Sequence, residues 1–104
     1  MRSISPKELH EELGRNRQLF LLDVREDWEH DAFNIGGVLI PLGEVLTEAG
    51  RIPNDKPVVV VCRKGVRSQI AIQRLEEKFG FTNLTNLEGG LEAYRRYLSE
   101  KHPD

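Results

Sequence analysis

The segment Cys62-Arg63-Lys64-Gly65-Val66-Arg67-Ser68 brings the chain's one thiol together with three cations and a glycine. A thiolate is a strong nucleophile, and cations close by favour it over the neutral thiol. Gly65 accepts backbone torsions that other residues resist, so the segment can curl until successive N–H groups turn toward the sulfur. A helix starting near Ser68 would aim the positive end of its dipole at the same point. The expectation is an anion-holding loop, Arg63 to Ser68, around a partly exposed Cys62 whose thiol is shifted toward its charged form. Such a loop can serve both halves of a ping-pong transfer through a covalent intermediate. By residue type alone a lone cysteine is more often a small buried hydrophobe. The Arg-Lys-Gly-Val-Arg-Ser sequence after Cys62 has no use in that role, and it argues for chemistry.

The elements around the loop follow from short apolar runs that alternate with helical patterns, a rhythm that predicts α/β architecture. Val58 to Val61, after Pro57, are all β-branched and read as a strand that delivers Cys62 to its carboxyl end, where open α/β sheets bind ligands. A helix is expected from about Ser68 to Phe79, with Ala71, Leu75 and Phe79 at helical spacing and Gly80 as its stop. Upstream, Ser5-Pro6-Lys7-Glu8 is a capping box that opens a helix with Leu9 and Leu13 on one face, stopped at Gly14. Leu19 to Val24 read as a strand buried on both faces. Glu26 to Ala32 read as a short helix with Trp28 inward, and Val38 to Ile40 as a brief strand closed by Pro41. A helical face is plausible over Gly43 to Ala49, carrying Val45, Leu46 and Ala49 and ended by Gly50. Downstream, a strand near Asn83 to Leu87 leads to a Gly89-Gly90 turn packed beside the loop. A final helix then presents Leu91, Tyr94 and Leu98 on one face, and the last few residues are expected to fray.

Composition sets the outer limits. The chain has 104 residues, 38% of them hydrophobic, which suits one domain over residues 1–104 with one core. Fifteen basic residues are scattered among 17 acidic ones for a net charge of −2, so nothing global points to nucleic acid. No apolar run approaches the roughly 20 residues that span a bilayer, and the first residues lack the apolar stretch of a secretory signal; the expected location is cytoplasmic. His10, His30 and His102 stand far apart without partners at metal-ligand spacing, so neither a metal nor a cofactor is expected.

The loop Cys62 to Ser68 resembles the active-site loop of the rhodanese family. Asp23-Val24-Arg25-Glu26 resembles that family's Asp-Val-Arg signature, Gly36 with Ile40-Pro41-Leu42 its second one, and Leu87-Glu88-Gly89-Gly90 with Tyr94 its C-terminal one. The resemblance covers about Ser3 to Leu98. It implies a three-layer α/β fold, a central parallel sheet of about five strands flanked by helices, with Arg2 to Ile4 as a short first strand. It also implies a sulfurtransferase: Cys62 as nucleophile and persulfide carrier, Arg63, Lys64, Gly65, Val66, Arg67 and Ser68 as the substrate cradle. The donor would be a small anion such as thiosulfate, which the basic pair Arg63-Lys64 fits, and the acceptor a thiol, cyanide or a protein. Phe33-Asn34 and Tyr94 depart from the family's usual residues and leave the pocket wall open.

Two competing readings follow from the loop. Phosphatases and arsenate reductases of the same fold place five residues between their cysteine and arginine, whereas four separate Cys62 from Arg67, a ring suited to a single sulfur atom. A persulfide relay or regulatory module acting on a protein partner is the other alternative. Asp23 and Arg25 either poise the site or form a buried ion pair that fixes the sheet edge. Trp28 and Tyr94 read as core or pocket wall, and Glu76, Glu77 and Lys78 as a solvated face.

Overall fold

The computed structural model describes residues 1–15 and 18–101, so the expected fraying of the last residues falls outside them. The elements are β1 (Arg2–Ile4), α1 (Pro6–Arg15), β2 (Phe20–Asp23), α2 (Asp27–Ala32), β3 (Val38–Leu39), β4 (Val58–Val61), α3 (Val66–Phe79), β5 (Leu84–Leu87) and α4 (Gly90–Lys101). The five strands form one parallel sheet in the order β1-β5-β4-β2-β3.

β4 lies at the centre, and its unbroken valine run reflects burial on both faces. Val58 and Val60 pack on one side with Leu22, Leu84, Ile72 and Leu75, beneath α3. Val59 and Val61 pack on the other with Leu9, Leu21, Leu91 and Tyr94, beneath α1 and α4. The alternation of side chains along the strand thus divides the core into two layers, and the same alternation puts Cys62 on the α3 side.

Local signals explain the helix ends. Ser5 and Glu8 exchange hydrogen bonds, Glu8 N–H to Ser5 Oγ at 3.1 Å and Ser5 N–H to Glu8 Oε1 at 2.9 Å, as the capping box requires. Gly80 ends α3 in the left-handed region at φ 71°, with its N–H on the Glu76 carbonyl.

Several expectations are corrected. Trp28 points outward and is 68% exposed, because α2 lies against the site with no buried residue of its own. Gly43 to Ala49 forms no α-helix: a 3-10 turn, Leu42–Glu44, takes its start, a second, Ala49–Arg51, begins at its end, and hydrogen-bonded turn joins them. So short a segment between two glycines cannot repay helix nucleation, and burying Val45 and Ala49 suffices to anchor it. α1 runs one residue past Gly14, and α3 begins two residues earlier than expected, inside the loop. Leu13 and Phe79 lie at helix ends and stay substantially exposed. Glu76, Glu77 and Lys78 face solvent, as expected of that face.

Candidate functional site

Cys62 stands directly after β4, and the chain at once curls back over its sulfur. The Gly65 N–H donates to Cys62 Sγ at 3.0 Å and the Ser68 N–H at 3.4 Å, with Ser68 Oγ also 3.4 Å away. The curl depends on Gly65, whose φ of 91° lies where residues with a side chain are strained. A Cβ at this position would also press on the Leu87 carbonyl and the Gly89 nitrogen, each at 3.3 Å.

The Gly89-Gly90 turn holds the loop from behind, as the sequence suggested. A Cβ on Gly90 would fall 2.5 Å from the Cys62 carbonyl oxygen, so only glycine lets α4 begin here. From that position the first amides of α4 grip the loop: Leu91 N–H donates to the Cys62 carbonyl at 2.8 Å and Glu92 N–H to the Arg63 carbonyl at 3.0 Å. With two loop carbonyls drawn toward α4, N–H groups remain for the sulfur. The amino-terminal end of α3 adds its dipole in the same direction.

Burial departs from expectation. Cys62 is 1% exposed and packs with the α3-side core, at the floor of a hollow of about 240 Å³ lined by Arg63, Lys64, Val66 and Arg67. The reason is geometric, since a sulfur ringed by backbone has little surface left. A larger depression of about 770 Å³ lies at the amino-terminal end of the strands, between Ile52, Asn54 and Phe81. It is remote from the thiol, and size does not make it the reactive site.

The three cations divide. Arg67 grasps Glu29 of α2 with both arms, at 2.7 and 2.9 Å. These bonds hold the Glu29 carboxyl well below its usual 4.5, at about 2, and raise Arg67 in turn. Arg67 therefore lines the hollow as expected of a cradle residue, with its guanidinium committed to α2. Arg63 reaches Glu92 more loosely, at 3.4 Å, and Lys64 is exposed.

Asp23 and Arg25 form the buried ion pair at the sheet edge, 2.7 Å apart. Arg25 also donates to the carbonyls of Glu29 and Phe33, tying the end of β2 to α2. Burial pushes the Asp23 carboxyl up, but hydrogen bonds from Arg25 and His30 outweigh it and leave it lowered. Beside this pair a second hollow of about 390 Å³ opens between Trp28, Phe33, Arg63 and Arg95. Arg95 lies 4.5 Å over the Phe33 ring, so Phe33 and Trp28 supply wall.

Sequence reasoning missed two residues. Glu29 is a plain α2 carboxylate until the fold sets it against Arg67. Asn86 is buried on β5 and accepts a hydrogen bond from the Ser68 hydroxyl. The signal for Asn86 was present: an amide at an inward-facing strand position, two residues after Leu84.

A five-stranded parallel sheet, a cysteine at its carboxyl edge and a seven-residue loop define the class. Residues 5–97 match the Rhodanese-like domain family, and the chain belongs to it. It is 34% identical over 103 residues to the putative sulfurtransferase YtwF of Bacillus subtilis, covering 98% of both chains. It is 35% identical to the probable adenylyltransferase/sulfurtransferase MoeZ of Mycobacterium tuberculosis, spanning 92% of this chain and a quarter of that protein's length. A rhodanese-like domain protein from Staphylococcus aureus superposes with a TM-score of 0.82 at 29% identity, covering 90% of this chain and 91% of that one. No helix among the described residues is long and apolar enough to cross a membrane.

Proposed function

We propose that Cys62 carries sulfur as a persulfide between a small anionic donor, thiosulfate by preference, and a nucleophilic acceptor. The Cys62 thiolate attacks the outer sulfur of thiosulfate, the S–S bond of the donor breaks, and sulfite leaves with the electron pair. An acceptor thiol, cyanide ion or protein nucleophile then attacks the outer persulfide sulfur and returns Cys62 as thiolate. Both enzyme forms are anions, and the same N–H groups serve each.

The observation that carries this reading is the sulfur at the centre of its own loop, 3.0 Å from the Gly65 nitrogen and 3.4 Å from that of Ser68. The tight ring, with four residues between Cys62 and Arg67, favours one extra sulfur atom over a tetrahedral phosphoryl group. Relatives named sulfurtransferases support the same chemistry.

The test is mass spectrometry of the intact protein after incubation with thiosulfate. A gain of one sulfur mapped to Cys62, absent from Cys62→Ser, is expected. Retained loading in that variant would remove the mechanism. Because Cys62 packs in the core, the serine variant is also expected to lose a measurable part of its stability on thermal unfolding, unlike a surface thiol.

Delivery to a protein acceptor is a second reading. The hollow beside Arg63 leaves room next to the loop, and relatives include a putative sulfur carrier protein, YrkF of B. subtilis. Comparing turnover with cyanide against transfer from the persulfide to candidate proteins separates the two.

A further inference from the structure

Only four polar or charged residues are buried among the described residues: Asp23, Arg25, Ser68 and Asn86. The first two form the ion pair at the sheet edge. The other two form a chain that ends on the reactive sulfur. Ser68 Oγ lies 3.4 Å from Cys62 Sγ, and its hydroxyl donates to Asn86 Oδ1. Asn86 pairs in register with Val60 on β4, so its side chain shares the α3 face with Cys62 and meets Ser68 on the third residue of α3.

A serine hydroxyl has one proton. While that proton is given to Asn86, Ser68 can only accept from the sulfur, an arrangement that fits a protonated thiol. A thiolate or persulfide has no proton to offer and requires a donor. A half-turn of the Asn86 amide exchanges its oxygen and nitrogen without a change of shape, so it needs no space in the packed core. Its NH₂ then donates to Ser68 Oγ, and the hydroxyl proton is free to point at the sulfur.

We propose that Asn86 is a positioning residue which, by turning its amide, switches the Ser68 hydroxyl from accepting the thiol proton of Cys62 to donating to its anionic forms. It touches no substrate and acts through Ser68. The inference rests on the reading of Cys62 as the sulfur-bearing residue. The charged groups around the sulfur are Arg63, Lys64 and Arg67 of the loop, Glu29 from α2 with Glu26 just before it, Glu92 from α4, and the Asp23–Arg25 pair at the end of β2; β5 contributes the neutral Asn86. The variants below leave all of these in place, and Asn86→Asp adds one new carboxylate.

The experiment is the pH dependence of Cys62 alkylation by iodoacetamide in wild type, Asn86→Leu, Asn86→Asp, Ser68→Ala and Ser68→Ala/Asn86→Asp, with thermal unfolding measured on each. Leucine removes one neutral hydrogen bond from each form, the Ser68-to-amide bond of the thiol form and the amide-to-Ser68 bond of the anionic form, so the inflection is expected to stay near that of wild type. A clear fall to lower pH would make Asn86 a fixed acceptor and overturn the switch. The carboxylate of Asn86→Asp can only accept from Ser68, so the hydroxyl is withheld from the thiolate and alkylation below the inflection is expected to slow roughly tenfold. The new charge also acts on the sulfur directly, and the Ser68→Ala background measures that part alone: there the aspartate is expected to slow alkylation roughly fivefold less. An equal slowing in both backgrounds, or none in either, overturns the proposal. If Asn86→Asp is unfolded at the assay temperature, Asn86→Leu carries the test. Sulfur loading by thiosulfate is scored separately by mass, so failure of the persulfide reading and failure of the Asn86 switch give different results.

Discussion

On one flank of the loop Arg67 meets Glu29 through two charge-assisted bonds, with the Glu29 side chain 9% exposed; on the other Arg63 approaches Glu92 at 3.4 Å, with both side chains largely in water. The two arginines are four residues apart and indistinguishable by type. A bidentate, sheltered pair fixes geometry, because breaking it strands a charge. A loose pair in water fixes little, and leaves its cation available to a diffusing anion. We propose that the loop uses one arginine to hold its shape and the other to attract an anionic donor, and each assignment can be broken by substitution.

The largest effect is expected at Glu29. Its folded carboxyl sits at about 2 against an ordinary 4.5, so as pH falls the unfolded chain binds a proton first. The stabilisation is therefore complete above 4.5 and lost as pH falls toward about 2. Each pH unit of that gap is worth about 1.4 kcal/mol. Since Arg67 is a third exposed, the realistic figure is on the order of 2 kcal/mol. Glu29→Gln is expected to lose that amount in urea unfolding at neutral pH, and the difference from wild type to vanish in acid. Sulfur uptake is also expected to slow, because the loop loses its tie to α2. Equal stabilities with parallel pH profiles would show that this pair is no firmer than the other.

The next effect concerns capture of the donor. A cation about 5 Å from a unit charge gains roughly 3 kcal/mol at an effective dielectric near 20, and exposure cuts this severalfold. Replacing Arg63 and Lys64 together with alanine is expected to raise the KM for thiosulfate roughly tenfold, the equivalent of about 1.4 kcal/mol, with little loss of stability. Arg67→Ala is expected to do the reverse, costing stability more than KM. A larger rise in KM from Arg67→Ala than from the double variant, with stability intact, would exchange the roles.

This division of labour marks how far the sequence could be read. The valine run before Cys62, the Ser5 capping box and the Gly89-Gly90 turn all carry local signals, because strand burial, helix starts and close backbone approach depend on neighbours along the chain. The loop was legible for the same reason, being seven consecutive residues. What escaped is set by residues distant in sequence. Glu29 and Arg67 are 38 residues apart, and Asn86 reaches Ser68 across 18. Trp28 was misplaced because a six-residue helix has too few turns to reveal its buried face, and here it has none. The burial of Cys62 was misjudged from the charges beside it, which project from a loop whose backbone, rather than its side chains, encloses the sulfur.

The finest test of the comparison is Glu92→Gln. The Glu92 backbone N–H donates to the Arg63 carbonyl whatever the side chain, so the grip of α4 on the loop survives the substitution. What changes is the charge 3.4 Å from Arg63. With Glu92 neutral, Arg63 presents its full charge to an approaching dianion, and a carboxylate that repelled the donor is gone. Both changes favour thiosulfate, each discounted by exposure, so KM is expected to fall about two- to threefold at low ionic strength. The gain is expected to disappear near 1 M salt, where screening acts within about 3 Å. Stability is expected to stay within about 0.5 kcal/mol of wild type, as for most surface changes. An unchanged KM at low salt would mean that Arg63 does not sense the donor, and a clear loss of stability would make the Arg63–Glu92 pair a structural tie like Arg67–Glu29.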